Sequence, residues 1–127
     1  MNMIHGIGTD FVEVSRIERI LTKWGDRFLD RVYAQDEIEY CKKKAAPAIH
    51  FAARFAAKES FLKSLGIGLG MGVKLREIEV KNNALGNPEL KINEKVVSIL
   101  DNLGVTAVHL SMTHTSEHAH AIVILER

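Results

Sequence analysis

The sequence predicts a single α+β domain, residues 1–127, in which an antiparallel sheet packs against a long central helix and several shorter ones. Three observations point there. Apolar periodicity switches between two and about 3.6 residues along the chain, and strand-like segments follow one another across tight turns, which implies antiparallel pairing. One segment, residues 48–65, is too apolar all round to be a surface helix. With 46% hydrophobic and 26% charged residues in 127, there is material for a core, and disorder and low complexity are excluded.

The elements follow in order. Residues 3–12 open apolar and β-branched with Gly6 and Gly8 inside the run, the mark of a strand that another backbone or a ligand approaches closely. From Glu13 the period changes: Ile17, Ile20, Leu21 and Trp24 make residues 13–24 an amphipathic helix ended by Gly25. Arg16, Arg19 and Lys23 share its other flank, and Arg27 continues that side past the break. Residues 26–45 read as one or two short helices ending in Lys42-Lys43-Lys44, after which Pro47 suits the first turn of the next helix. In that long helix Phe51, Phe55, Leu62 and Leu65 form a stripe, Phe61 widens it, and Ala52, Ala53, Ala56 and Ala57 surround the rest.

An irregular loop, residues 66–72, carries glycine at every second position. Alternation over 75–81 and again over 89–92 predicts two strands joined by a turn at 83–88. Val96, Val97, Leu100 and Leu103 place a helix over 93–103, closed by Gly104. The tail, 106–125, reads as two strands around Thr115-Ser116-Glu117-His118, the second apolar on both faces apart from His120 and therefore central in a sheet. The N-terminal strand must pair with one of the later ones.

Seventeen Lys plus Arg against sixteen Asp plus Glu leave a net charge of +1, too little for a whole-surface grip on nucleic acid, and 6% aromatic residues disfavour single-strand binding. Electrostatic recognition must therefore use charges gathered on one face. No apolar run approaches a membrane span, the opening residues lack a signal-peptide layout, and the lone Cys41 has no internal disulfide partner, so a cytoplasmic protein without membrane contact is expected.

Charge also appears where the long helix is apolar. At about 100° per residue, Glu59 falls about 40° from Phe55, Lys63 lies one turn further on, and Lys58 falls between Phe51 and Leu65. Charges in such a sector need partners. An i, i+4 pair of Glu59 with Lys63 is the structural answer; a metal ion for Glu59 and phosphates for Lys63, Lys58 and Arg54 would answer the whole set. Asp10, leaving the first strand, reads as a turn or N-cap residue in a capping arrangement with Glu13. Asp10 and Glu59 together are a poor calcium cage but a reasonable partial shell for magnesium, which keeps several waters and takes substrate phosphate oxygens. His114 follows Val108, Leu110 and Met112 on one strand face and is expected to point inward, as a hydrogen-bonded core histidine or a phosphate donor. His114, His118 and His120 straddle a turn with no cysteine or carboxylate at familiar spacing, which argues against zinc. The glycine loop lacks the dinucleotide fingerprint and follows a helix, where the fingerprint precedes one.

Three motifs, Gly6-Ile7-Gly8-Thr9-Asp10, Phe55-Ala56-Ala57-Lys58-Glu59-Ser60-Phe61-Leu62-Lys63 and Ser111-Met112-Thr113-His114, resemble those of the holo-acyl-carrier-protein synthases, small bacterial 4′-phosphopantetheinyl transferases. The resemblance extends over the chain, including the Gly86-Asn87-Pro88 turn. It implies the 4′-phosphopantetheinyl transferase fold and an enzyme that moves the phosphopantetheine arm of coenzyme A to a serine of apo acyl carrier protein, releasing adenosine 3′,5′-bisphosphate. It further implies Asp10 and Glu59 as magnesium ligands that act in catalysis with Lys63, and Lys63 at the pyrophosphate. Arg54 and Lys58 become further phosphate or carboxylate contacts, and His114 and Thr115 reach the phosphates of coenzyme A from a neighbouring protomer. The base that deprotonates the serine stays open between Glu59 and a metal-bound water. Larger two-domain transferases carry an acidic residue two positions after the aspartate; here it is Val12, so water is expected there instead of a third carboxylate. A chain of half their length implies a site assembled between subunits of a homotrimer. Arg16, Arg19, Lys23 and Arg27 would suit the acidic helix of the carrier protein. The competing reading is a non-catalytic module that binds coenzyme A or a carrier protein; Asp10, Glu59 and Lys63 occurring together favour the enzyme.

Overall fold

The computed structural model describes residues 2–66 and 72–127. Strand β1 (Ile4–Glu13) runs directly into α1 (Val14–Trp24), followed by α2 (Asp26–Val32), α3 (Gln35–Lys42) and the 19-residue α4 (Pro47–Leu65). A hairpin of β2 (Ile78–Asn82) and β3 (Pro88–Ile92), then α5 (Glu94–Leu103), β4 (Ala107–His114) and β5 (His118–Glu126) complete the chain. The main sheet has the order β1-β5-β4, antiparallel throughout, and β2-β3 form a second, two-stranded sheet. The predicted α+β class and the central place of the last strand are present, and the first strand, expected to pair with one of the later ones, pairs with β5.

Local chemistry sets the boundaries. Gly25 ends α1 and Gly104 ends α5 at positive φ (51° and 74°), and Pro47 opens α4. Asn93 caps α5 by accepting a hydrogen bond from the Val96 amide at 3.0 Å. Two expectations are corrected. Residues 75–77 form a 3-10 turn instead of the start of a strand, because Glu77 folds back onto the Lys74 amide at 2.7 Å. Asp10 is no cap: it lies inside β1 opposite Ala121, and Glu13 precedes α1 without a side-chain cap. Of the glycine loop, residues 67–71 lie outside the described residues.

Helix α4 crosses the inner face of the main sheet and borders both halves of the core. Phe51, Ala53 and Ala57 pack with Val12, Ile17 and Tyr33 on one side, while Phe61 and Leu65 pack with Ile78, Val96, Val123 and Leu125 on the other. Its contact with β1 is backbone against backbone. A Cβ on Gly8 would stand 1.8 Å from the Ser60 carbonyl oxygen, and one on Gly6 1.9 Å from that of Ser64. The Ser60 hydroxyl also donates to the Ala121 carbonyl at 3.1 Å, which holds the helix to β5.

Lys58 takes up a second constraint. It is fully buried, and its ammonium donates to Glu37 Oε1 at 2.6 Å, the Ile78 carbonyl at 2.6 Å and the Leu75 carbonyl at 3.0 Å. Glu37, buried as well, accepts from the Ala34 amide at 2.9 Å and the Val80 amide at 3.0 Å. All three ammonium donors are used, and the pair ties α3, α4, the 3-10 turn and β2 together. Burial pulls the Lys58 ammonium below its ordinary range while Glu37 opposes the shift.

Gly8→Ala therefore has to separate α4 from β1. We expect it to lower stability by about 2–4 kcal/mol in urea denaturation, the cost of forcing atoms into a packed contact that backbone cannot yield. A variant within about 0.5 kcal/mol of the parent would show that the contact is not tight.

Candidate active site

The approach permitted by Gly6 and Gly8 brings the end of β1 alongside the C-terminal half of α4. Asp10 and Lys63 meet there: the Lys63 ammonium donates to Asp10 Oδ1 at 3.0 Å and to the Thr9 carbonyl at 2.9 Å. Glu59, one turn earlier and half-buried, makes no salt bridge among the described residues, so the predicted Glu59–Lys63 pair is replaced by Asp10–Lys63. Burial first, and then the charge of Asp10, raise the Glu59 carboxyl above its ordinary range, while Lys63 and Arg16 pull it down. Two carboxylates that repel each other, on a sheet strand and a helix, form a donor pair suited to a divalent cation. Lys63 is half-exposed and free to yield Asp10 to such an ion. No cluster of three or more potential ligands occurs among the described residues, so the remaining positions on such an ion would be water or substrate oxygen.

Arg16 is the site residue whose neighbourhood the sequence did not reveal. It lies on α1, exposed, with its guanidinium 6.0 Å from the Phe55 ring centroid and close enough to Glu59 to bias its carboxyl. Phe55 in turn neighbours Phe28 at 6.4 Å. From there a groove of about 560 Å³ opens between α1 and α2, lined by Ile20, Trp24, Arg27, Phe28 and Arg31. Arg19 and Lys23, also exposed, border a neighbouring shallow depression with Ser15, Glu18 and Thr22. Arg16, Arg19 and Lys23 are thus exposed on α1, and Arg27 lies in the groove on α2.

The remaining predicted contacts lie elsewhere. Lys58 is corrected from a phosphate contact to a core residue, since its three donors are spent on Glu37 and two carbonyls and it has no exposed surface. Arg54 is 3% exposed and sits over the Tyr40 ring at 4.3 Å, with its Nε buried and unpartnered. His114 lies on the α4-facing side of β4 as expected, but it is exposed at the strand end, where its ring meets His50 edge-on at 5.5 Å. Thr115 accepts from the Glu117 and His118 amides at 3.2 and 3.1 Å and so shapes the β4–β5 turn. His50 and Glu59 are nine residues apart on α4, about 13 Å along its axis. Among the described residues, neither Arg54 nor His114 makes a hydrogen bond or ion pair with Asp10, Glu59 or Lys63.

His118 and His120 lie on the sheet face opposite α4, away from His114. There Phe11 stacks on His118 at 4.8 Å and His120 hydrogen-bonds Thr9 at 2.6 Å. Ile7, Ile122 and Ile124 share this face by register, with Ile7 and Phe11 54% and 64% exposed. No helix among the described residues is long and apolar enough to cross a membrane.

Known proteins match this chain in sequence and fold. Residues 6–123 fit the family model of the 4′-phosphopantetheinyl transferase superfamily. A holo-[acyl-carrier-protein] synthase of Syntrophus aciditrophicus is 56% identical over 98% of this chain and 97% of its own length. The crystal structure of the Neisseria meningitidis holo-[acyl-carrier-protein] synthase superposes with a TM-score of 0.91 at 36% identity, covering 98% of this chain and all of that one. The Bacillus anthracis holo-(acyl-carrier-protein) synthase, solved in complex with CoA (3′,5′-ADP), superposes with a TM-score of 0.79 at 37% identity over 98% and 97% of the two chains. With the family model, the sequence relatives and the fold agreeing over nearly its whole length, the chain belongs to the holo-[acyl-carrier-protein] synthase family of 4′-phosphopantetheinyl transferases.

Proposed function

We propose that this enzyme transfers 4′-phosphopantetheine from coenzyme A to a serine of apo acyl carrier protein, using Asp10, Glu59 and Lys63. The observation that carries the assignment of residues is the meeting of Asp10 and Lys63 at 3.0 Å beside a Glu59 whose carboxyl is raised by burial and by Asp10. The serine oxygen forms a new bond to the phosphorus next to the pantetheine arm. The bond from that phosphorus to the bridging oxygen breaks, and adenosine 3′,5′-bisphosphate leaves with the electron pair. Glu59 accepts the serine proton, and its raised pKa makes it a better base at neutral pH than an ordinary carboxylate. Lys63 swings from Asp10 onto the pyrophosphate and donates to the leaving oxygen. Asp10 and Glu59 would hold magnesium, which when bound supplies Lewis-acid neutralisation of charge at the pyrophosphate.

Arg54, His114 and Thr115 contribute to the phosphates of coenzyme A from a neighbouring protomer. Their separation from Glu59 within one chain supports a shared site, as does the exposed Ile7 and Phe11 face of the sheet, which suits burial in a homotrimer. The basic flank of Arg16, Arg19, Lys23 and Arg27, with the groove beside it, supports docking of the acidic helix of the carrier protein. A cytoplasmic setting suits the single thiol, Cys41, which is buried, held protonated with a pKa of about 11, and unpaired.

Intact mass spectrometry of apo acyl carrier protein incubated with this chain and coenzyme A tests the reaction. The expected result is a gain of one phosphopantetheine with magnesium and none with EDTA; coenzyme A binding without any gain would favour a binding module. Glu59→Gln is expected to slow transfer at least about a hundredfold. The same substitution should raise the melting temperature at pH 7. The folded pKa of Glu59 lies above its unfolded value, so the folded state binds more protons between the two and stability falls as pH rises through that window. The difference between Glu59→Gln and the parent should close as pH falls below about 4.3. Equal melting temperatures at pH 7 would remove the raised carboxyl from the argument.

Arg27→Glu, away from the carboxylates, is expected to raise KM for the carrier protein about tenfold without affecting KM for coenzyme A. Equal effects on both substrates would argue against a docking surface there. Phe11→Asp should convert a trimer to monomers in light scattering and abolish transfer together with it. A trimer that persists would exclude this sheet face from the subunit contact.

A further inference from the structure

Strand β1 carries Asp10 into the site, yet little in its own sequence fixes it there. It lies at the edge of the main sheet, paired only to β5, and Gly6 and Gly8 leave the backbone just before Asp10 more freedom to lose than any other residue type would. Successive side chains alternate across a strand, so Asp10 reaches Lys63 on the α4 side while its neighbours Thr9 and Phe11 stand on the opposite sheet face. Both meet the same residue of the central strand there. His120 lies opposite Phe11 in register, hydrogen-bonds the Thr9 hydroxyl through Nε2 at 2.6 Å, and sets its ring 6.3 Å from that of Phe11. His118 adds a stacked contact with Phe11 at 4.8 Å. Strand β5 is paired on both sides, with Thr113 of β4 opposite His120, so the histidine stands on a better-held strand than β1. Thr9 carries the contact onward to α4: its carbonyl accepts from the Lys63 ammonium at 2.9 Å, the same ammonium that donates to Asp10 at 3.0 Å.

We infer that His120 is a positioning residue for the transfer: by gripping the residues on either side of Asp10, it fixes the strand segment that holds Asp10 and Lys63 together. This rests on the roles given above to Asp10 and Lys63. The linkage runs from the imidazole to the Thr9 hydroxyl, and from the Thr9 carbonyl to the Lys63 ammonium, with only the frame of one residue between the two hydrogen bonds. Without the grip, residue 9 turns more freely beside Gly8, and its carbonyl moves off the ammonium. A displacement of about 1 Å at a reacting group costs far more in rate than the hydrogen bond that prevents it costs in stability. The histidine does no chemistry itself, because it stands on the sheet face away from α4 and hence from Glu59. The same reading accounts for the His118-x-His120 pair: it belongs to no group of three potential metal ligands among the described residues, and both rings hold β1 through Phe11 instead.

Steady-state kinetics of the intact enzyme at saturating magnesium test this through variants of the two hydrogen-bonded side chains. Thr9→Val removes the hydroxyl at nearly constant volume, His120→Leu removes the ring nitrogen, and His120→Gln sets an amide where Nε2 lies. Thr9→Val and His120→Leu are each expected to lower kcat about fivefold, with KM for coenzyme A and for the carrier protein unchanged. The double variant should lose no more than either single one, because both remove the same contact. His120→Gln should stay within about twofold of the parent. In the free protein, amide hydrogen exchange over residues 6–13 should quicken in Thr9→Val and His120→Leu and keep the parent's rate in His120→Gln. Losses that multiply in the double variant, an unchanged kcat in the single ones, an effect on KM instead of kcat, or a His120→Gln as slow as His120→Leu would each overturn the positioning role. Exchange over 6–13 that none of the variants alters would do the same, as would a loss that light scattering traces to dissociated subunits and that higher protein concentration restores. Asp10→Asn in the same assay separates the two readings, since a rate equal to the parent's would defeat the assignment of Asp10 itself, whatever His120 does.

Discussion

The close approach of α4 to β1 is the constraint on which the rest of the molecule depends. Gly6 and Gly8 remove side chains from the strand where the carbonyls of Ser64 and Ser60 reach it, and Ala53, Ala56 and Ala57 keep the helix slim along the same path. A helix packed on a sheet normally stands off by the height of the intervening side chains. Here the two backbones touch, and as a result residues carried on different elements, Asp10 and Lys63, come to 3.0 Å. The meeting of Asp10 and Lys63 is a by-product of a packing choice made two and four residues before Asp10 in β1.

Two lysines on α4 show how position along the same helix decides between structure and chemistry. Lys58 points into the core and spends every donor on Glu37 and two carbonyls, so its charge serves to fix the hairpin and α3 against the helix. Such a buried, fully paired charge adds little net stability but is expensive to break, which makes it a register device. Lys63, five residues later, emerges at the edge, remains half-exposed, and has one carboxylate and one carbonyl for company. A lysine held so lightly can be moved by a substrate; one held as Lys58 is cannot.

The chain also divides its charges. Glu59, Asp10, Lys63 and Arg16 gather where β1, α1 and the second half of α4 meet, while Arg54, His50, Lys44 and His114 gather around the N-terminal turns of α4. The first sets two carboxylates side by side, and in the second Arg54 and Lys44 make no ion pair among the described residues.

Much of this was legible in the chain. Periodicity located α1, α4 and α5, because an apolar stripe facing a core leaves a 3.6-residue pattern whatever the core contains. Gly6 and Gly8 announced a close approach, and charges in the apolar sector of residues 48–65 announced that something must compensate them. The identity of the compensating groups was not legible. Whether Lys58 met a phosphate or Glu37 depended on α3, 21 residues distant in sequence, folding beneath it. Asp10 read as a helix cap because local patterns favour that use, and only the path of α4 across β1 supplied Lys63 as its partner. His50 carried no local signal at all, since its surroundings come from α3, β4 and the turn before α4. The sequence by itself determined the elements, the chemistry in stock and the family, since short-range periodicity and residue type are local properties. Only the tertiary structure decided which charges are spent inside the fold and which remain for substrate, because that depends on contacts between residues tens of positions apart.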